Sequence, residues 1–122
     1  MALKQIKKVI TMNKFRRKEI YNIIKNINQL LRNLEKNAIE NIMQIIEELI
    51  GLLESILNEE EMCRDNIPEN LQSGYRYEES ENACDNLESA IETLEDIEDN
   101  ATKEDIIDVL LSVLNYLNES VM

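Results

Sequence analysis

Residues 20–56 decide the fold, and they read IYNIIKNINQLLRNLEKNAIENIMQIIEELIGLLESI. Apolar residues recur three or four positions apart, a spacing that stacks side chains on one face of an α-helix. The predicted stripe consists of Ile20, Ile24, Ile27, Leu31, Leu34, Ala38, Ile42, Ile45, Leu49, Leu52 and Ile56. Because no proline interrupts the run, it predicts one helix from about Lys14 to about Met62. A helix with such an apolar stripe is stable only if another helix buries the stripe, which favours a homo-oligomer formed through this helix.

The residues that follow predict a loop and two shorter helices. Pro68 lies within the loop, at 63–74, because a proline keeps the preceding residue out of helical geometry. Apolar residues at helical spacing then predict a helix at about 75–99 and another at about 103–118. Thr102 and Asp105 stand at the two positions of a capping box before the last helix.

These elements predict an all-α protein, namely an elongated helical bundle built on one long helix with two shorter helices. Residues 12–122 are expected to form one helical domain, since 122 residues leave room for little more. Residues 1–11 are treated as an extension open to disorder, and Met12 reads as an alternative start. They hold no apolar run long enough for a signal peptide or a membrane span, which favours a cytoplasmic protein without membrane contact.

Charge is divided sharply along the chain. Residues 1–36 carry ten Lys and Arg against Glu19 and Glu35, whereas residues 37–122 carry three Lys and Arg against 23 acids. The net charge of −12 therefore combines a basic head with a strongly acidic body. Two interpretations fit this division. In the first, the two parts attract each other or their copies; in the second, the head binds an anion and the body repels or mimics nucleic acid.

Catalytic and metal chemistry have little support in the sequence. The chain has no histidine, and Cys63 and Cys84 do not have the spacing of a zinc site, so two reduced thiols are expected. No nucleophile–base set, phosphate-binding loop or cofactor fingerprint is present. We therefore expect no enzyme, no metal and no cofactor.

Two groups of residues remain as candidate binding sites. One is the basic cluster Lys14, Arg16, Arg17 and Lys18 beside Phe15, which suits phosphate oxygens or acidic partner helices. The other group combines cations and aromatic rings in an otherwise acidic region. This combination favours either stacking with a ligand or partner, or attachment of the loop to the bundle. Its members are Arg64, Tyr75, Arg76 and Tyr77.

The run Asp65-Asn-Ile-Pro-Glu-Asn-Leu-Gln72, followed by Arg76-Tyr-Glu78, resembles small acidic helical-hairpin proteins of phages and prophages of Gram-positive bacteria. The start Met12-Asn-Lys-Phe-Arg-Arg-Lys-Glu-Ile20 shares this likeness, which covers roughly residues 12–98. The resemblance implies a mobile-element origin and a helical hairpin, with no assigned chemistry.

Three functions fit these features. The first is a non-catalytic inhibitor or adaptor that occupies a host protein, such as an anti-phage defence protein, through an acidic helical surface. The second is an oligomeric sponge for an anionic nucleotide signal. The third is a structural assembly factor. A cation cluster facing a shared pocket would favour the sponge, and an uninterrupted acidic face would favour the inhibitor.

Overall fold

The computed structural model describes residues 2–72 and 74–121, with side chains described from Lys14 onward. These residues form four α-helices and no strand, so the predicted all-α class is confirmed. The helices are α1 (Ala2–Arg32), α2 (Ile39–Asp65), α3 (Tyr75–Glu95) and α4 (Lys103–Ser120). Single-turn 3₁₀ segments at Leu34–Lys36 and Glu69–Leu71 lie in the first two connections.

The prediction of one helix over residues 14–62 is wrong, because the chain breaks between Arg32 and Ile39. Asn33 and Asn37 each donate a side-chain hydrogen bond to the carbonyl four residues earlier, at 3.1 and 2.9 Å. Such bonds compete with the helical backbone ladder. Ala38, placed in the predicted stripe, is instead the exposed N-cap of α2. The fold is therefore built on two long helices and two shorter ones.

The other predicted boundaries move by smaller amounts. The loop predicted at 63–74 begins only after Asp65, the helix predicted at 75–99 ends at Glu95, and the helix predicted at 103–118 extends to Ser120. Residues 2–11, treated as an extension open to disorder, belong to α1 by their backbone, and their side chains lie outside the described part. The capping box of Thr102 and Asp105 is confirmed, with both hydrogen bonds formed.

The four helices surround one core. Neighbouring pairs are α1 with α2, α2 with α3, α3 with α4, and α4 with α1. Lys103 Nζ donates to the carbonyl of Glu35 at 3.2 Å, so the start of α4 lies beside the end of α1. α3 packs most closely on its neighbours, because the fully buried Ala90 lets a helix approach. α4 therefore packs against two neighbours, α3 and α1.

The core uses a different register from the predicted stripe. Ile23, Leu30, Ile46 and Leu53 are buried, whereas their neighbours Ile24, Leu31 and Ile45 are only half-buried and Leu52 is exposed. The core residues of α1 are Ile20, Ile23, Ile27 and Leu30, and those of α2 are Ile42, Ile46, Leu49, Leu53 and Ile56. Because α2 folds back, the stripe from Ile20 to Ile56 is covered within one chain. This stripe therefore no longer requires an oligomer to bury it.

Candidate functional site

Three polar side chains continue the buried stripes of three helices. Arg16 precedes Ile20 by four positions on α1, Glu60 follows Ile56 by four on α2, and Ser80 precedes Cys84 by four on α3. All three are buried, and the stripes therefore bring them into one layer at the end of the core. We call Arg16, Glu60 and Ser80 the polar triad.

Two hydrogen bonds to the carboxylate of Glu60 join the polar triad. Arg16 Nε donates to Glu60 Oε2 at 2.6 Å, and Ser80 Oγ donates to Glu60 Oε1 at 2.7 Å. Within the described side chains, no buried polar atom lacks a partner. A buried ion pair of this kind adds little net stability, but it disfavours other helix registers because breaking it leaves a buried charge. Glu60 and Ser80 are absent from the predicted site residues, although a polar residue at each stripe position was the available signal.

A cavity of about 800 Å³ lies directly beyond the polar triad, and we call it the end cavity. Its walls come from α1 at Arg16 and Arg17, from the last turns of α2, from the 66–74 connection and from the first turns of α3. Glu119 and Ser120, at the end of α4, close one side. The lining is mainly apolar, and Leu71 and Tyr75 on its wall are largely exposed to solvent.

The end cavity brings together four of the eight predicted site residues. Arg16, Arg17, Tyr75 and Arg76 line it, but Arg16 is engaged by Glu60 and does not present a free charge. Lys14 and Lys18 are exposed and lie outside the lining. The basic cluster is therefore divided: Arg16 is a core residue, while Lys14, Arg17 and Lys18 are surface residues.

Arg64 and Tyr77 lie near one another at the end of α2 and the start of α3, and neither lines the end cavity. Arg64 Nε donates to Asp65 Oδ1 at 3.2 Å. Desolvation lowers the pKa of Arg64, but this hydrogen bond and nearby charges raise it overall. Arg64 therefore places a positive charge in the last turn of α2, where it offsets the helix dipole and the neighbouring acids.

The end cavity is lined by acidic side chains, as the rest of the acidic body is. Glu78, Glu79 and Glu119 line it in addition to Glu60. Among the described residues of the lining, the cations other than the engaged Arg16 are Arg17 and Arg76. The described lining is therefore not strongly cationic, and it does not by itself suit a ligand bearing several phosphates.

The exposed face of α3 carries a continuous acidic stripe. Its members recur four and three residues apart, namely Glu81, Asp85, Glu88, Glu92 and Glu95. All five are exposed, and across the described side chains none of them forms an ion pair. The stripe extends from Glu81 to Glu95, a rise of roughly 21 Å along the helix. This is the uninterrupted acidic face that the inhibitor hypothesis requires.

The two cysteines are free, as expected from the sequence. Cys63 is half-buried on the wall of the end cavity, while Cys84 is buried next to the polar triad in the stripe of α3. Burial raises the pKa of Cys84 to about 12, against the opposing effect of Arg64. Cys84 therefore stays a neutral thiol near pH 7, and a nucleophilic role would need the thiolate.

In the part of the chain with described side chains, no three His, Cys, Asp or Glu residues converge as a metal site would require. No helix among the described residues is long and apolar enough to cross a membrane. Comparison with known protein families, curated proteins and solved structures finds no match to this chain.

Proposed function

We propose that this protein is a non-catalytic inhibitor or adaptor that occupies a basic surface of another protein through the acidic stripe of α3. The observation that supports it is the row of five exposed acids on one helix face. The resemblance to phage and prophage proteins leads us to place the target in a Gram-positive host cytoplasm, with an anti-phage defence protein as the leading type.

The acidic stripe has an energetic cost in the free protein. Like charges three and four positions apart on a helix are destabilising by a few tenths of a kcal/mol per pair. α3 carries no Lys or Arg after Arg76, so nothing on the same helix offsets this repulsion. A row of Lys and Arg on a partner would relieve it and would form charge-assisted hydrogen bonds.

Surfaces that bind nucleic acid carry such rows, because they neutralise successive phosphates. The stripe presents one carboxylate for about every 5 Å of helix, which resembles a line of phosphates more than a scattered acidic surface. We therefore favour a nucleic-acid-binding protein as the target, with the acidic stripe competing for its phosphate contacts.

The nucleotide sponge is the second candidate, and the end cavity is the observation that favours it. Arg17 and Arg76 flank the cavity, and Tyr75 offers an exposed ring for stacking. The carboxylates of Glu78, Glu79 and Glu119 oppose an anion there. We place the sponge second for that reason, and a structural assembly factor third. An elongated, homo-oligomeric protein is part of all three proposals.

Charge reversal on matched helices tests the inhibitor hypothesis. One variant carries Asp85→Lys, Glu88→Lys and Glu92→Lys within the acidic stripe. The control carries Glu47→Lys, Glu48→Lys and Glu54→Lys on exposed positions of α2, so both variants change the net charge equally. Each is used as bait in a lysate of a Gram-positive host, and the captured proteins are identified by mass spectrometry.

We expect the α3 variant to bind the target with an affinity lower by about a hundredfold or more. The α2 control should bind it as the natural sequence does. Binding should weaken with salt, and double-stranded DNA should displace the protein from its target. Equal capture by both variants would overturn the acidic stripe as the binding surface. Capture of a nucleotide that depends on Arg17 and Arg76 would promote the sponge.

A further inference from the structure

The buried stripe of α1 continues beyond the bundle. Within the bundle its positions are four and three apart, namely Arg16, Ile20, Ile23, Ile27 and Leu30. Counting back with the same spacing gives Asn13, Val9, Ile6 and Ala2, with Leu3 and Ile10 beside them. Residues 2–13, which we call the arm, therefore have the sequence of an amphipathic helix.

The arm extends past the other helices of its own chain. Arg16 is level with Glu60, and α2 continues only five residues beyond Glu60 before it ends at Asp65. α3 begins five residues before Ser80, and α4 ends at Ser120, which lines the end cavity together with Arg16. From Arg16 back to Ala2, α1 rises roughly 21 Å. Its apolar positions therefore extend farther than the ends of the described helices that could cover them.

The end cavity marks a place for one more helix. α1, α2 and α3 form three of its walls, and the end of α4 closes it along the bundle axis. It therefore occupies the space that α4 would fill if that helix continued. Because α4 runs antiparallel to α1, a helix that replaced its continuation would also run antiparallel to α1.

We propose that the arm of a second copy fills the end cavity, and that the two copies exchange arms in a symmetric antiparallel dimer. The arm cannot reach the cavity of its own chain in this way, because α1 is one continuous helix from Ala2 to Arg32. A two-fold axis near the arms covers both arms and fills both cavities at once, as an isologous interface requires.

Charge and apolar surface both suit this occupant. The arm carries Lys4, Lys7 and Lys8 and no acid, while the described lining of the cavity holds three free acids against the two free cations Arg17 and Arg76. Leu71 and Tyr75, exposed on the cavity wall in one chain, would be covered by the arm's apolar positions. This interface leaves the acidic stripe of α3 free, so it can fail or hold independently of the proposed target binding.

Light scattering on the full chain tests the dimer. We expect a mass of twice 14.3 kDa at 50 µM for the natural sequence. Ile6→Glu with Val9→Glu should raise the dimer dissociation constant at least about a hundredfold, since it replaces two apolar positions in each arm. The control, Thr11→Glu with Asn22→Glu, changes the charge equally at two positions on the side of α1 opposite the stripe, and it should remain a dimer. A monomeric natural chain, or a stripe variant that stays dimeric, overturns the proposal.

Cross-linking to a natural thiol tests the position of the arm. Cys63 lies on the cavity wall, so Ile6→Cys should form an intermolecular disulfide with Cys63 under mild oxidation, giving a covalent dimer without reductant. Thr11→Cys, on the opposite side of the arm, should give at least tenfold less. Peptide mapping of the product should find the linkage between positions 6 and 63. A dimer cross-linked equally from both positions, or a disulfide formed within one chain, overturns the exchange of arms.

Discussion

Arg16 and Glu60 lie 44 positions apart in the chain, and Arg16 Nε lies 2.6 Å from Glu60 Oε2 inside the core. Arg17, the next residue, is exposed on the rim of the end cavity. Two adjacent arginines therefore have opposite roles: one fixes the register of three helices, and the other is available to a ligand. A variant that changes both would mix loss of stability with loss of binding.

Arg16→Glu and Arg17→Glu should accordingly differ in stability. Arg16→Glu places a second carboxylate against the buried Glu60, and we expect a loss of about 3–5 kcal/mol in the free energy of unfolding. Arg17→Glu should change it by no more than about 0.5 kcal/mol. Urea unfolding followed by circular dichroism measures both. Equal losses would show that Glu60 does not depend on Arg16.

Leu49→Asp and Leu52→Asp test the register of α2. Leu49 is 3% exposed and Leu52 is 50% exposed, although both belong to the stripe predicted from the sequence. Leu49→Asp should cost more than about 3 kcal/mol, because it buries an unpaired charge in the core. Leu52→Asp should cost less than about 1 kcal/mol. Equal decreases in melting temperature for the two variants would refute the observed register.

Gly51→Ala should stabilise the protein by about 0.5–1 kcal/mol, since glycine is a poor helix former and an added Cβ meets no atom within 4 Å there. Gly74→Ala is the comparison, because its Cβ would approach the carbonyl oxygen of Leu71 at 3.1 Å. We expect no gain from that change. Thermal unfolding measures both variants, and destabilisation by Gly51→Ala would contradict an open helical surface at this position.

Cys84 should make stability fall with pH above about 8.5. Burial raises the pKa of its thiol to about 12, whereas a cysteine in the unfolded chain titrates near 8.5. The stabilising effect is complete below the unfolded pKa. It is lost between there and about pH 12, because the unfolded state releases the proton first, at up to about 1.4 kcal/mol per pH unit.

The control for this pH dependence is Cys84→Ala, which removes the titrating group and should flatten the decline between pH 8.5 and pH 10.5. Urea unfolding at several pH values measures the slope for each chain, and only the slopes are compared. Parallel slopes would mean that the thiol does not titrate differently on folding.

The sequence by itself determined the all-α class, the segments at 75–95 and 103–120 to within a few residues, and the capping box at Thr102. These follow from local chemistry, since apolar spacing, low glycine content and a capping side chain act within a few residues of one another. It also contained the polar triad, as three polar residues at stripe positions.

Tertiary structure alone decided where the first run breaks and which neighbouring residues face the core. In α2 the pairs Ile45 and Ile46, and Leu52 and Leu53, suit helical spacing almost equally, so contact with other helices selects between them. The break at 33–38 has no glycine or proline, and two asparagines permit it only because folding back buries both halves of the run. The end cavity depends on where four separate helices end, which no single stretch of sequence specifies.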